Sequence, residues 1–112
     1  MAITRSAPRK RKRLVVDFNT TLSKTSGFTH DLSRSGLFVC TIRIPKIGEI
    51  LRATLYLPDG KHVPIEGTVV RSFRVPSTLR SLIPSGFGLR LSKEKPAEYE
   101  DFISSIEDRP SR

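Results

Sequence analysis

Two short segments carry the side chains best suited to chemistry. The first is Arg9-Lys10-Arg11-Lys12-Arg13, an unbroken cationic run. An arginine fork can grip a phosphate through two bonds, or bond both Hoogsteen acceptors of guanine, O6 and N7. Lysine acts there as a point charge and does neither as well. Arg9 and Arg13 are four residues apart, and Arg13 directly precedes the first apolar-alternating segment, which would hold it near the folded body. Arg5 and Arg9 share that spacing. The second segment is Asp31-Leu32-Ser33-Arg34-Ser35-Gly36. Its composition reads first as a turn, with Asp31 and Ser33 capping backbone groups and Gly36 accepting a left-handed conformation. Such a turn also aims side chains. Asp31 offers acceptors for the N–H groups of guanine's Watson–Crick edge, and the Ser33 hydroxyl donates or accepts.

Other chemistries fare badly. His30, Asp31 and Ser33 suggest a triad, but neighbours on an extended segment are expected to point to opposite faces. His30, Cys40 and His62 are too scattered for a zinc site, so no metal is expected. Cys40 lies in an apolar strand and reads as a buried filler. No glycine-rich loop opens a helix to cradle a nucleoside triphosphate. No enzyme activity and no cofactor are expected.

The elements that must position these segments are mostly strands. Residues 1–13 contain almost nothing apolar and read as a flexible basic arm, with order beginning at Leu14. Leu14, Val16, Phe18, Thr20 and Leu22 then alternate with polar or outward residues, a period-two strand pattern. Ser23 to Gly27 reads as a turn, followed by a short strand and the polar break at His30 to Gly36. Leu37 to Ile42 is strand-like again. Leu51, Ala53, Leu55 and Leu57 alternate up to Pro58-Asp59-Gly60, a turn signal that predicts a hairpin. Its second arm places Val63, Ile65, Val69 and Phe73 in phase, with Gly67 as a bulge or bend. Pro76 to Ser85 reads as a loop, and Gly86 to Leu91 as the closing strand. Tyr99, Phe102, Ile103 and Ile106 change to helical period, with Pro96 at the start and Glu98, Glu100 and Asp101 at the positive end of the helix dipole. Residues 108–112 read as a disordered tail. The fold class expected is mainly β, a six-stranded antiparallel β-barrel over residues 14–107 with a C-terminal α-helix.

Composition fits a small basic domain. The chain has 112 residues, enough for one core and not two, and a formal charge of +9. Six of its cations fall in the first thirteen positions, so the remainder is almost balanced. One cysteine excludes an internal disulfide framework and fits a reducing compartment. Without a long apolar run or a secretory h-region, the expected location is cytoplasmic.

Taken together, the two motifs resemble the PilZ domain family of bacterial cyclic di-GMP receptors. That family is recognised by Arg-x-x-x-Arg just before the first barrel strand, here Arg9 to Arg13. Its second mark is (Asp/Asn)-x-Ser-x-x-Gly roughly two dozen residues on, here Asp31 to Gly36. The resemblance continues through the Pro58-Asp59-Gly60 turn, the Gly-x-Gly strand at Gly86 and the terminal helix. It implies that Arg9 and Arg13 grip guanine and phosphate, that Asp31 and Ser33 contact a guanine, and that Gly36 shapes the turn. Lys10, Arg11, Lys12 and Arg34 are expected as helpers. The implied function is cyclic di-GMP binding that reorders the arm and so signals to a downstream protein partner. Two alternatives remain: a sequence-independent nucleic-acid-binding barrel, or a PilZ-like adaptor that binds only protein. Nucleic-acid platforms interleave surface aromatics with cations. Here most phenylalanines fall in core phase, so nucleic acid is the less expected partner.

Overall fold

The computed structural model of the chain describes residues 10–20, 23–76 and 85–107. In chain order its elements are β1 (Lys10–Arg11), β2 (Val15–Asn19), β3 (Lys24–Leu32), β4 (Gly36–Cys40), β5 (Ile50–Tyr56), β6 (His62–Phe73), β7 (Gly86–Leu91) and α1 (Ala97–Glu107). Strands β3-β2-β5-β6-β7-β4 are hydrogen-bonded in that order, and β4 pairs back onto β3. Six antiparallel strands therefore close a barrel. The two-residue β1 continues alongside β3 beyond β2.

Alternation in the sequence sets the inward faces. Val16 and Phe18 of β2, Leu51, Ala53 and Leu55 of β5, and Val63, Ile65 and Val69 of β6 are all buried. Phe18 and Phe87 meet edge to face across the interior, with ring centroids 5.2 Å apart. The β5–β6 hairpin turns at Pro58-Asp59-Gly60, where Gly60 takes φ +93° and Asp59 Oδ1 accepts from the Lys61 amide. An 11-residue helix is too short to persist alone. Helix α1 is held by burying Tyr99, Ile103 and Ile106 in the barrel's own core, a gross gain of about 2 kcal/mol per side chain.

Several local expectations are corrected. Strand pairing is already present at Lys10, ahead of Leu14, because the backbone of β1 finds partners on β3. No turn occupies Ser23 to Gly27: Lys24–Leu32 is one continuous strand, and the Ser23 carbonyl ahead of it accepts from the Thr20 amide. Gly67 is not a bulge. It pairs in register with Leu51 and Leu91, and a Cβ there would meet the Arg90 carbonyl oxygen at 2.5 Å. The irregularity falls at Val70, between Val69 and Arg71. That extra residue throws the strand out of phase, which leaves Phe73 exposed. Phe28 is exposed as well, so only Phe18 and Phe87 of the six phenylalanines are fully buried. Cys40 is half-buried. Leu22, residues 77–84 of the predicted loop and the 108–112 tail lie outside the described residues.

One surface network gives the barrel a pH signature. Asp17 accepts from Ser26 Oγ at 2.5 Å and from the Tyr56 hydroxyl at 2.7 Å. The Ser26 bond, then the Tyr56 bond, hold the Asp17 carboxyl below its ordinary value of 3.8. The same Asp17 bond holds the Tyr56 hydroxyl above 10.0. A depressed carboxylate stabilises the fold above its unfolded pKa and loses that contribution as pH falls through the folded value. A raised phenol stabilises below its unfolded pKa and loses that as pH rises through the folded value. Urea midpoints measured across pH should therefore fall less steeply below pH 3.8 in Asp17→Asn than in the parent chain. Above pH 10.0 Tyr56→Phe should remove the alkaline loss. Parallel curves at both ends would show that the network is not coupled to folding.

Candidate functional site

The two sequence motifs meet on the flank of β3. Backbone pairing sets Lys10 opposite Leu32 and Arg11 opposite Asp31, then Val15 opposite Phe28. From Arg11 to Val15 is four steps, against three from Asp31 to Phe28, so the leading segment carries one extra residue. Thr29 fixes that irregular stretch. Its side chain is buried, its hydroxyl donates to the Lys12 carbonyl, and it accepts from the Leu14 amide at 2.8 Å. The Thr29 amide also donates to the Leu14 carbonyl at 2.8 Å. Sequence reasoning passed over Thr29. Its only signal was a polar residue in inward phase. Thr29→Val keeps the shape but leaves the Leu14 amide and Lys12 carbonyl without these partners, a loss of about 2 kcal/mol. The expected result is a lower urea midpoint and faster hydrogen exchange at the Leu14 amide. Unchanged exchange there would show that another contact anchors the segment.

Arg13 emerges next to this anchor. Its guanidinium lies over the exposed Phe28 ring, 4.1 Å from the centroid. Arg9 lies outside the described residues, and Lys10 and Arg11 enter through their backbone pairing alone.

Asp31 is the penultimate residue of β3 and sits in the strand, not in the turn. Pairing with β4 shifts between Thr29 and Asp31, which makes His30 an extra residue. The bulge breaks alternation. His30 Nδ1 therefore lies 3.3 Å from Asp31 Oδ2, although strand neighbours were expected to diverge, and the imidazole packs edge-on to Phe38 at 6.3 Å. Ser33 does not join them in a triad: it is buried and its hydroxyl is held within its own turn, 3.3 Å from the Gly36 carbonyl and from the Ser35 hydroxyl. The Cys40 thiol reports on the same patch. Burial pushes it up, the Arg13 charge pulls it down and the Asp31 charge pushes it up, so both groups lie within electrostatic reach of it.

The turn after Asp31 is fastened from behind. Tyr99 donates its buried hydroxyl to the Ser33 carbonyl at 2.6 Å. Arg34 bonds Glu100 at 3.2 Å and Ser104 at 3.1 Å on α1. The sequence pattern marks Tyr99 only as a core residue of the helix face. Gly36 is not left-handed either; the described residues with positive φ are Gly48 and Gly60. Gly36 is needed because a Cβ would sit 2.4 Å from the Leu89 carbonyl oxygen. The motif glycine permits a close approach of β4 and β7.

Another groove, of about 720 Å³, lies elsewhere, lined by residues of β2, β5 and β6 and by the approach to α1. Its charges offset one another, with Lys24, Arg52 and Lys95 facing Asp17, Glu66 and Glu94. A dianion would gain little there, so the cationic flank of β3 is the stronger candidate despite its open shape. Among the described residues no cluster of His, Cys, Asp or Glu is arranged to hold a metal ion, and no helix is long and apolar enough to cross a membrane.

Comparison with known proteins agrees with this architecture. The chain is similar in fold to the Bacillus subtilis inhibitor of motility, MotI/DgrA, with a TM-score of 0.73 and 19% sequence identity. That likeness covers 96% of this chain and 54% of the other, so the present chain spans about half of that protein. A search of curated proteins gives no sequence match. The profile of the PilZ domain matches residues 3–107. Nearly the whole chain is thereby accounted for, and it belongs to the PilZ domain family, a family of cyclic di-GMP receptors and protein adaptors not known as enzymes.

Proposed function

We propose that this chain is a cyclic di-GMP receptor whose basic arm reorders on binding and so signals to a protein partner. The observation that carries the reading is the pairing of Arg11 with Asp31, which runs the cationic segment along the acidic end of β3. Cyclic di-GMP has two guanines and two phosphates, so it needs cations, Hoogsteen donors and Watson–Crick acceptors in one place. In this reading Arg9 and Arg13 grip phosphate and guanine, Asp31 accepts from the guanine edge, and Gly36 keeps the turn in place. Lys10, Arg11 and Lys12 add phosphate contacts. The Ser33 hydroxyl makes only 3.3 Å bonds within its turn, long enough to be exchanged for a guanine contact. Arg34 would have to leave its bond to Ser104 and a half-exposed ion pair with Glu100, the ion pair being worth below about 1 kcal/mol. The single cysteine fits action in the reducing cytoplasm.

Arm movement is physically accessible. The stack of Arg13 on exposed Phe28 is worth about 0.5–1 kcal/mol, less than one charge-assisted bond to a phosphate at about 1.5–3 kcal/mol. The ligand can therefore recruit Arg13 from its resting place. The exposed Phe28 beside Arg13 is also the feature that most favours the alternative of nucleic-acid binding. Calorimetry with cyclic di-GMP, a linear guanine dinucleotide and a short RNA separates the readings. Heat confined to the cyclic ligand is expected. Equal heat from RNA would favour a nucleic-acid platform, and no heat from any of the three would favour a protein-only adaptor.

A further inference from the structure

The end of the barrel formed by the β4–β5 loop carries a feature that the ligand site does not use. Ile42 and Ile47 are 68% and 64% exposed. With Pro45 they line a cleft of about 710 Å³, rimmed by the exposed cations Arg43, Lys46 and Arg74. None of the three cations is in an ion pair among the described residues. The carboxylate in the lining, Glu49, is turned onto the loop's own backbone and accepts from the Lys46 amide. Exposed isoleucines around a concavity with an excess of positive charge mark a surface suited to an interaction.

A second hollow of about 560 Å³ shares Ile42, Arg43 and Arg74 with the first and runs on to Cys40 and Phe28. Thr25 and Thr41 line it, and their hydroxyls are buried without a hydrogen-bond partner among the described residues. Such orphans are rare. A guest whose backbone reached either hydroxyl would supply the missing partner. The far end of this path is Phe28, the ring over which Arg13 lies.

We propose that this continuous, cation-rimmed apolar groove docks an acidic, apolar segment of the downstream partner. The charge of the groove selects the occupant. The chain's own arm is cationic and would be repelled. The outward residues of α1, Glu98, Asp101 and Ser105, are acidic or polar but offer no large apolar side chain, so the helix of a second copy would leave the isoleucines uncovered. Anionic lipid would suit the cations, but the isoleucines line a hollow rather than a crest that could enter a bilayer. The groove also connects to the receptor reading, on which one part of the proposal rests: a ligand that draws Arg13 away frees the face of the Phe28 ring that it covers, at the end of the groove.

The test is amide NMR titration of the full chain with a short synthetic peptide of alternating glutamate and leucine. A lysine–leucine peptide and phosphatidylserine vesicles are the comparison arms. The acidic peptide should shift the amides of residues 42–49 and Arg74. Arg43→Glu with Arg74→Glu should weaken it at least about tenfold, with dispersed amide signals and unchanged heat on adding cyclic di-GMP. No shift in this loop, equal binding of the lysine–leucine peptide, or a response to vesicles alone would overturn the proposal. Saturating cyclic di-GMP should tighten peptide binding. A peptide that binds equally with and without the ligand would keep the docking groove and remove the Arg13 gate, and calorimetry on the same sample reports independently on whether the ligand binds.

Discussion

Arg13→Ala and Asp31→Ala should each lower the affinity for cyclic di-GMP by well over tenfold, and Arg9→Ala should do the same. Each charge-assisted bond is worth about 1.5–3 kcal/mol, and an arginine fork makes two at once, while tenfold in affinity is only about 1.4 kcal/mol. Arg13 gives up little to bind, since its resting contact is an exposed stack on Phe28 at 4.1 Å. Phe28→Ala should therefore alter affinity by less than tenfold, because that stack is worth about 0.5–1 kcal/mol. Arg13→Lys should fall between the parent and Arg13→Ala, keeping the charge and losing the fork. Asp31→Asn keeps one acceptor and should be milder than Asp31→Ala. Arg52→Ala serves as the control, an exposed cation on β5 facing Glu66 at 4.0 Å. If Arg13→Ala and Arg52→Ala lost the same small amount, the basic segment would be acting as a diffuse positive field rather than a site.

Much of the architecture could be read from the sequence because burial enforces period. Where both neighbours of a strand are regular, as along β5, alternation at Leu51, Ala53 and Leu55 leaves no other register with an apolar interior. The helix was equally legible, since Tyr99, Ile103 and Ile106 share one face. What escaped was everything created by an inserted residue. The shift at Val70 exposes Phe73, and the shift at His30 brings His30 against Asp31. A bulge is a property of two strands together, and one strand's sequence does not announce it. The candidate site followed the same division. The residue types of the two motifs were visible, and so was their order. The groups that fasten them were not: Thr29 reaches fifteen residues back to the Leu14 amide, and Tyr99 reaches sixty-six back to Ser33. Such contacts depend on closure of the barrel, which local pattern does not encode. Arg34 shows the reverse case, a cation inside the motif that bonds Glu100 and Ser104 on α1.

Gly36→Ala should be the most damaging single methyl in the motif, through stability rather than through lost ligand contacts. At Gly36 the backbones of β4 and β7 approach so closely that a Cβ would lie 2.4 Å from the Leu89 carbonyl oxygen. Both obstacles to relief are structural. Leu89 is paired with Leu37 in the ladder and its side chain is part of the core, so the carbonyl cannot retreat without opening β7. The Gly36 carbonyl accepts from the Ser33 amide at 2.8 Å, which closes the motif turn. Overpacking of this kind costs about 3 kcal/mol, and about 4 °C in melting temperature accompanies each kcal/mol in a domain of this size. A fall in melting temperature of about 10 °C or more is therefore expected. Gly36 has an ordinary negative φ, so a left-handed residue is not what the position requires. Gly36→Asn should accordingly be no better tolerated than Gly36→Ala, whereas at a true left-handed turn asparagine is the best substitute for glycine. Measuring both melts decides between the two reasons for the glycine. A stable Gly36→Asn variant beside an unstable Gly36→Ala would restore the turn explanation and remove the close approach of β4 and β7 as the cause.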